Sequence, residues 1–208
     1  MTGRSVLASS DYNLVTKWRV LGTVEEVYDL IGDVAGLPRW WPAAILEVLE
    51  IQLGDETGLD KVVRLDTKGW LPIVHHWHAV VSRADRPHAF TVKVWGDFEG
   101  EAHWRFQQAG AWTEATLEWR VHARKPVIRL LSPLLKPLFA WDHAWAMAKG
   151  EESLRLELAR RHAQDAAQRT ALAPPPAPAE FPTLPLLLGT GTLFAFLWLR
   201  RRGRRRRR

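Results

Sequence analysis

Apolar and polar residues alternate along seven stretches of the chain, and this period of two is typical of strands with one buried face. Turn residues such as Gly, Asp and Pro separate most of the stretches. The predicted strands are residues 13–21, 45–53, 61–67, 73–83, 88–95, 98–107 and 111–122. Because the last six follow one another through short connections, we predict an antiparallel meander.

Two short helical segments separate the first strand from this meander. Thr23 and Glu26 have the spacing of a capping box, which predicts a helix from there to about Asp33. A break follows, and residues 39–42 predict a second short helix or turn.

A long helical pattern follows the last strand. Apolar residues recur at intervals of three and four from Phe139 to Leu158, so they share one face of a helix. Ser132 is a suitable N-cap, and we expect the helix to span residues 132–161. An apolar helix face needs a broad surface to cover it, and an antiparallel sheet supplies one. The pattern therefore predicts an α+β fold with the helices on one face of the sheet.

Several local patterns resemble the helix-grip superfamily of START-type lipid-binding proteins, Bet v 1-like proteins and polyketide cyclases/dehydrases. They are VEEVYDL at 24–30, WWP at 40–42, TKGWLP at 67–72, GDFEG at 96–100 with Trp104, and WDH at 141–143 with Met147 and Gly150-Glu151. The resemblance covers residues 13–163. It implies a curved antiparallel sheet wrapped on a long C-terminal helix, with a deep apolar cavity between them. It does not imply one reaction, because the superfamily contains carriers, sensors, cyclases and hydrolases.

The period of two also assigns side chains to the inner face of the sheet. The expected ligand-binding residues are Trp77, Phe90, Trp104, Phe106 and Trp119 from the strands, Met147 from the long helix, and Trp40 and Trp41 at the mouth of the cavity. The competing interpretation is a filled core that serves as a protein-interaction module, because apolar faces and aromatic stripes more often pack than bind.

Two histidines are the candidates for acid–base chemistry. His75 and His143 fall on inner faces, and histidine titrates near neutrality. A buried histidine is more often a hydrogen-bonded structural residue, and the thin polar content of the inner face favours binding over catalysis. His76 and His78 share the other face of their strand, but no third ligand lies at short spacing, so we predict no metal site. No motif for a cofactor is present either.

The net charge of +6 comes from the end of the chain. Eight of the 29 basic residues lie between Arg200 and Arg208, and without them residues 1–199 carry 21 basic and 23 acidic residues, a formal charge of −2. A basic nucleic-acid-binding face on the domain is therefore not expected. The chain has no cysteine, which excludes disulfides and thiolate metal sites, and its 12 tryptophans suit a core or a pocket.

The C-terminal part of the chain predicts membrane association. Residues 181–199 contain no charged residue and as a helix would span about 28 Å, close to the roughly 30 Å hydrocarbon core of a bilayer. The arginines from Arg200 to Arg208 would lie among anionic lipid headgroups. Nucleic acid without sequence preference is a weaker candidate partner for this tail, because the apolar segment adjoins it.

The location of the folded domain follows from the other end of the chain. The first residues lack the apolar core of a signal peptide, so we expect a membrane-associated protein with a cytoplasmic domain. A single pass cannot keep both that domain and the arginines cytoplasmic, and the topology of the tail stays open.

These patterns divide the chain into five parts and leave two functions in competition. The parts are residues 1–12 (disordered), 13–165 (helix-grip domain), 166–180 (Pro/Ala-rich linker), 181–199 (membrane helix) and 200–208 (arginine tail). The leading hypothesis is binding or transport of a hydrophobic small molecule, lipid-like or polyketide-like. The alternative is a polyketide cyclase/dehydratase-type enzyme with His75 or His143 as acid or base. The sequence defines no oligomeric state.

Overall fold

One sheet of seven antiparallel strands forms the body of the protein. The computed structural model describes residues 11–56, 58–123 and 126–180. The strands are Asp11–Leu21 (β1), Ile45–Gln52 (β2), Val62–Lys68 (β3), Val74–Asp85 (β4), Ala89–Gly96 (β5), Phe98–Ala109 (β6) and Trp112–Ala123 (β7). Their order is β1-β7-β6-β5-β4-β3-β2, so the predicted meander is confirmed and β1 pairs with β7.

The strand register places the predicted inner faces together. Trp104 pairs with Leu117 and Ala102 pairs with Trp119, so the apolar faces of β6 and β7 coincide. The outer faces of these strands are polar, and Glu118 forms ion pairs there with Arg105 and Arg120. Because side chains alternate along a strand, this register fixes which residues can face the helices.

Two short helices follow β1 and close one end of the sheet. Helix α1 spans Val24–Gly32, a 3₁₀ turn spans Val34–Gly36, and α2 spans Leu37–Trp40. The predicted capping box is confirmed: the Thr23 hydroxyl accepts from the Glu26 N–H at 3.2 Å, and the Glu26 carboxylate accepts from the Thr23 N–H at 2.9 Å.

The long helix α3 covers the inner face and spans Pro126–His162, a length of 37 residues. This arrangement is the helix-grip fold that the resemblance implies. The expected helix start was wrong, because Ser132 lies inside the helix and is not its N-cap. Pro126 suits the first helical position, because a backbone N–H there would have no acceptor within the helix and proline therefore loses no hydrogen bond.

Gly150 lets α3 approach two tryptophans of the core. A Cβ atom at this position would lie 2.5 Å from the ring of Trp41 and 2.7 Å from the ring of Trp18. Both distances are shorter than non-bonded carbon atoms tolerate. Leu154 and Leu158, which follow on the same helix, are almost completely buried.

The segment after α3 turns back along the domain. A short helix, α4, spans Ala166–Ala171, and Asp165 caps it by accepting from the Gln168 N–H at 2.8 Å. The proline-rich segment that follows ends near β3, where Lys68 Nζ donates to the Ala179 carbonyl at 2.8 Å. The predicted linker at 166–180 is therefore partly helical.

Among residues 11–56, 58–123 and 126–180, none of the helices combines the length and the apolar character that a membrane span requires. The predicted membrane helix at 181–199 and the arginine tail lie outside the described residues. So do residues 1–10, whereas Asp11 and Tyr12, expected to be disordered, belong to β1.

Candidate functional site

The space between the inner face of the sheet and α3 is hollow. A cavity of about 710 Å³ lies there, lined by residues of β1 and β3–β7 and by α3 side chains from Phe139 to Met147. Small-molecule sites usually occupy about 300–1,000 Å³. The cavity therefore contradicts the interpretation of this region as a filled core.

The cavity exists because α3 approaches the sheet mainly along one edge. Of all the strands, α3 packs most closely on β1, where Gly150 allows contact with Trp18. Over the middle strands the helix stands farther off, and large side chains there pack on their neighbours in the sheet. Trp104, for example, packs sideways on Trp18 at 5.2 Å and on Phe106 at 5.9 Å between ring centroids.

Six of the eight predicted ligand-binding residues line the cavity. These six are Trp41, Trp77, Phe90, Trp104, Trp119 and Met147. Phe106 points inward but lies beneath α1, where the Tyr28 ring contacts it at 5.5 Å between centroids. The sequence pattern assigned Phe106 to the correct face without indicating which helix covers that part of the face.

The expectation that Trp40 and Trp41 stand at the cavity mouth was wrong. Their relative exposures are only 1% and 8%. The two rings stack at 5.8 Å, and Trp41 Nε1 donates to the Ala146 carbonyl at 3.2 Å, which holds the pair under α3. Trp41 therefore belongs to the wall, and Trp40 lies behind it.

Sequence reasoning missed several residues of the wall, among them Tyr12, Phe98 and Asp142. Tyr12 precedes the predicted start of β1, yet its ring packs edge-on against Phe139 at 6.2 Å. Phe98 begins β6 and contacts the rings of His75 and Trp119. Asp142 belongs to the WDH pattern, which was the available signal for it, but the pattern did not indicate that the carboxylate would face the cavity wall.

The two histidine candidates occupy apolar surroundings. His143 stacks on Trp119 with 6.4 Å between ring centroids, and its Nε2 is buried without a hydrogen-bond partner. Burial lowers the pKa of His143 to about 4, so the ring is neutral at physiological pH. His75 is buried with its ring 4.8 Å from that of Phe98.

Asp142 joins α3 to the connection between β3 and β4. Its carboxylate accepts from the Leu71 N–H at 2.7 Å. Burial raises the pKa of Asp142, although the N–H groups of Leu71 and Trp70 and the charge of Lys68 oppose this rise. Gly69 lies directly against the carboxylate, because a Cβ there would be 2.2 Å from a carboxylate oxygen.

A charged rim lines the other end of the cavity. It consists of Asp29, Asp33, Glu56, Lys61 and Arg86. Arg86 donates two hydrogen bonds to Asp29, at 2.9 and 2.7 Å. Four of the five rim residues are exposed, so this end of the cavity meets solvent. Strand β3 runs from Val62 beside the rim to Lys68 near Asp142, a span of roughly 20 Å at about 3.3 Å per residue.

The outer-face histidines have other partners. His76 Nδ1 lies 2.8 Å from Asp66 Oδ1, and His78 stacks on Trp95 with 5.3 Å between centroids. Within the described residues, no group of three or more His, Cys, Asp or Glu side chains could hold a metal ion.

Comparison with known proteins agrees with this architecture. A family model described as polyketide cyclase / dehydrase and lipid transport matches residues 15–159. No curated protein sequence is significantly similar to the chain.

Three solved structures illustrate the likeness in fold. The protein TTHA0849 from Thermus thermophilus has 19% identity and a TM-score of 0.57, over 71% of this chain and 99% of that one. The Zhui aromatase/cyclase from Streptomyces sp. R1128 has 15% identity and a TM-score of 0.57, over 74% and 97%. A START superfamily protein from Mycobacterium smegmatis has 17% identity and a TM-score of 0.54, over 68% and 98%.

Proposed function

The chain belongs to the polyketide cyclase / dehydrase and lipid transport family, which supports a ligand-binding or cyclase-type function, and from this premise we propose that it binds one hydrophobic small molecule at a membrane. The cavity holds the molecule, and residues 181–208 keep the domain at the bilayer. The folded domain faces the cytoplasm.

The cavity itself carries the proposal. Its volume of about 710 Å³ suits a molecule of the size of a fatty acyl chain or a few fused rings. Trp77, Trp104 and Trp119 supply large apolar surfaces, and burying a ligand against them is favourable in proportion to the apolar area removed from water. Lipid-like and polyketide-like molecules both fit this chemistry.

Proton transfer has less support than binding. A general acid or base works best when its pKa lies near the working pH. The pKa of His143 is about 4, and its Nε2 is covered by protein atoms. His143 is thus poorly placed to exchange a proton with a bound molecule, which favours a binding protein over a cyclase that uses this histidine.

The proposed membrane attachment is argued from the sequence of residues 181–208. An uncharged segment of 19 residues precedes eight arginines, a pattern that suits a bilayer with anionic headgroups. Removing residues 181–208 should release the protein from membranes into the soluble fraction. Continued pelleting of the shortened chain with membranes would contradict the tether.

The binding proposal can be tested with a cavity-filling variant. Ala79 lines the cavity, and Val80 follows it on the outer face of β4. Mass spectrometry of an organic extract of the purified full chain should identify a bound apolar molecule. Ala79→Phe should lose that molecule, whereas the matched control Val80→Phe should retain it.

Circular dichroism confirms folding of each variant, and Val92→Phe fills the same cavity from β5 if Ala79→Phe does not fold. A wild-type chain that carries no extractable molecule and binds no apolar fluorescent probe would contradict the proposal. Turnover of an aromatic polyketide that His143→Ala abolishes would favour the enzyme instead.

A further inference from the structure

Four large apolar side chains are exposed near the end of the cavity opposite the charged rim. Trp70 and Ile73 lie in the β3–β4 connection, and Leu138 and Trp141 lie about one turn apart on α3. Their relative exposures range from 39% for Trp70 to 47% for Trp141. We call these four residues the tryptophan face.

The two halves of this face are fastened to each other. The rings of Trp70 and Trp141 pack edge to face with 5.1 Å between centroids. Directly beside them, Asp142 on the helix accepts from the Leu71 N–H in the connection. The face is therefore a preformed surface, and little conformational entropy would be lost when it binds.

Two lysines, Lys68 and Lys136, adjoin the tryptophan face in sequence. Of the nearby acids, Asp142 is buried and accepts from the Leu71 N–H, and Glu180 is exposed at the end of the described chain. Tryptophan prefers the interface between water and lipid, where its ring is buried and its N–H stays near polar groups. Lysines beside it are attracted to anionic headgroups.

A second exposed apolar patch lies on β2, where Leu49 and Ile51 are exposed. Glu47 and Glu50 on the same strand form ion pairs with Arg64 and Lys61, so this patch is close to neutral and would not attract anionic headgroups. The position of the end of the described chain, beside Lys68, selects the tryptophan face.

The end of the described chain lies at the same place. Lys68, adjacent to the tryptophan face in sequence, donates to the Ala179 carbonyl at 2.8 Å. Only Glu180 follows before the 19 uncharged residues and the arginines begin. The proposed tether thus leaves the domain beside Lys68, which would bring this face toward whatever surface the tether binds.

We propose that the tryptophan face docks on the surface of a bilayer that contains anionic lipids. This inference rests on the membrane tether of the proposed function and adds the orientation of the domain. The Trp70 and Trp141 rings would enter the interface, and Lys136 would contact headgroup phosphates. Residues 69 and 142–143, which line the cavity, would lie just above the lipid.

A probe at single cysteines in the full chain tests this orientation. The chain has no cysteine of its own, so Ile73→Cys and the control Ile51→Cys can each carry one environment-sensitive fluorophore. Vesicles of phosphatidylcholine and phosphatidylglycerol in equal amounts are then added, and bound protein is measured by sedimentation. We expect the emission from position 73 to shift to shorter wavelength and to be quenched by spin-labelled lipid. The fluorophore at position 51 should remain in an aqueous environment, with unchanged emission.

Each other outcome contradicts the docking in a distinguishable way. Protein that binds vesicles while position 73 stays aqueous would leave the tether intact and reject the docking face. Absence of vesicle binding would reject the tether and the face together, without affecting the cavity experiment. An apolar environment at position 73 before vesicles are added would mean that the chain's own apolar segment covers this face.

A pair of substitutions gives an independent measurement. The double variant Trp70→Ser and Trp141→Ser should bind these vesicles at least about tenfold more weakly, because two interfacial rings are lost. Trp95 is as exposed as Trp70 but lies on the outer face of β5, so Trp95→Ser should bind unchanged. Equal effects of both changes would contradict the proposal.

Discussion

The carboxylate of Asp142 accepts a hydrogen bond from the N–H of Leu71, a residue 71 positions earlier in the chain, at a distance of 2.7 Å. The contact holds the β3–β4 connection against α3. Gly69 makes it possible, because any side chain at that position would collide with the carboxylate. A buried acid therefore joins α3 to one wall of the cavity, together with the packing of Trp70 on Trp141.

Asp142→Ala should lower the free energy of unfolding by about 1–3 kcal/mol, because it leaves the Leu71 N–H without its acceptor. Asp142→Asn should cost less, since the amide oxygen can accept the same bond. Chemical denaturation of both variants measures the difference. Equal losses in the two variants would show that the hydrogen bond contributes little.

Asp142 should also make stability depend on pH. Burial raises its pKa in the folded chain above the ordinary value of 3.8. The folded chain then binds the proton more tightly than the unfolded chain does, so its stabilising contribution is present below that value and is lost as pH rises through the folded pKa. The free energy of unfolding of wild type relative to Asp142→Asn should therefore fall over this range. A constant difference across the titration would contradict the raised pKa.

Gly150→Ala should destabilise the protein, although alanine favours helices over glycine by about 1 kcal/mol. The added methyl group would lie 2.5 Å from the Trp41 ring and would push α3 away from the sheet. Gly32→Ala is the matched control, because a Cβ at that helical glycine meets no atom within 4 Å. Thermal melting compares the two, and a higher melting temperature for Gly150→Ala would mean that the close packing is absent.

His143 should not titrate near neutrality. Its folded pKa of about 4 lies below the ordinary 6.5, so the folded chain binds fewer protons than the unfolded chain between these values. The stability that results is present above pH 6.5 and is lost as pH falls through 4. His143→Phe removes this loss and should gain up to about 3 kcal/mol relative to wild type near pH 4.

NMR of the ring protons can follow His143 directly. Ring shifts that change between about pH 5 and 8 would contradict the buried neutral state and would restore the histidine as an acid–base candidate.

The sequence predicted the sheet well, because the sheet face on which a side chain lies and the spacing of the turns are local properties of the chain. Alternation along residues 98–107 and 111–122 placed Ala102, Trp104 and Trp119 on one face, and the pairing of β6 with β7 confirms it. A period of two encodes orientation directly, so no information from distant residues is needed.

The sequence predicted the residues of the site less well, because which helix covers a given part of a strand face depends on contacts between distant parts of the chain. Phe106 and Trp104 share a strand face, but α1 covers the first and the cavity meets the second. Trp40 ends the four-residue helix α2 and Trp41 follows it, and so short an element has no periodicity that could indicate burial. The start of α3 was missed because Ser132 is a plausible cap, and local preference for a cap does not exclude a helix that began earlier.

The rim formed by Asp29, Lys61, Arg86 and their neighbours lies at the opposite end of β3 from Trp70 and Trp141. If the domain docks on the membrane through its tryptophan face, the rim end of the cavity would face the aqueous compartment. A guest molecule would then arrive from the water side and pass between charged residues before it reached the indoles. Its delivery would depend on carriers or enzymes in solution, while the lipid beneath would serve to fix where in the cell the exchange takes place.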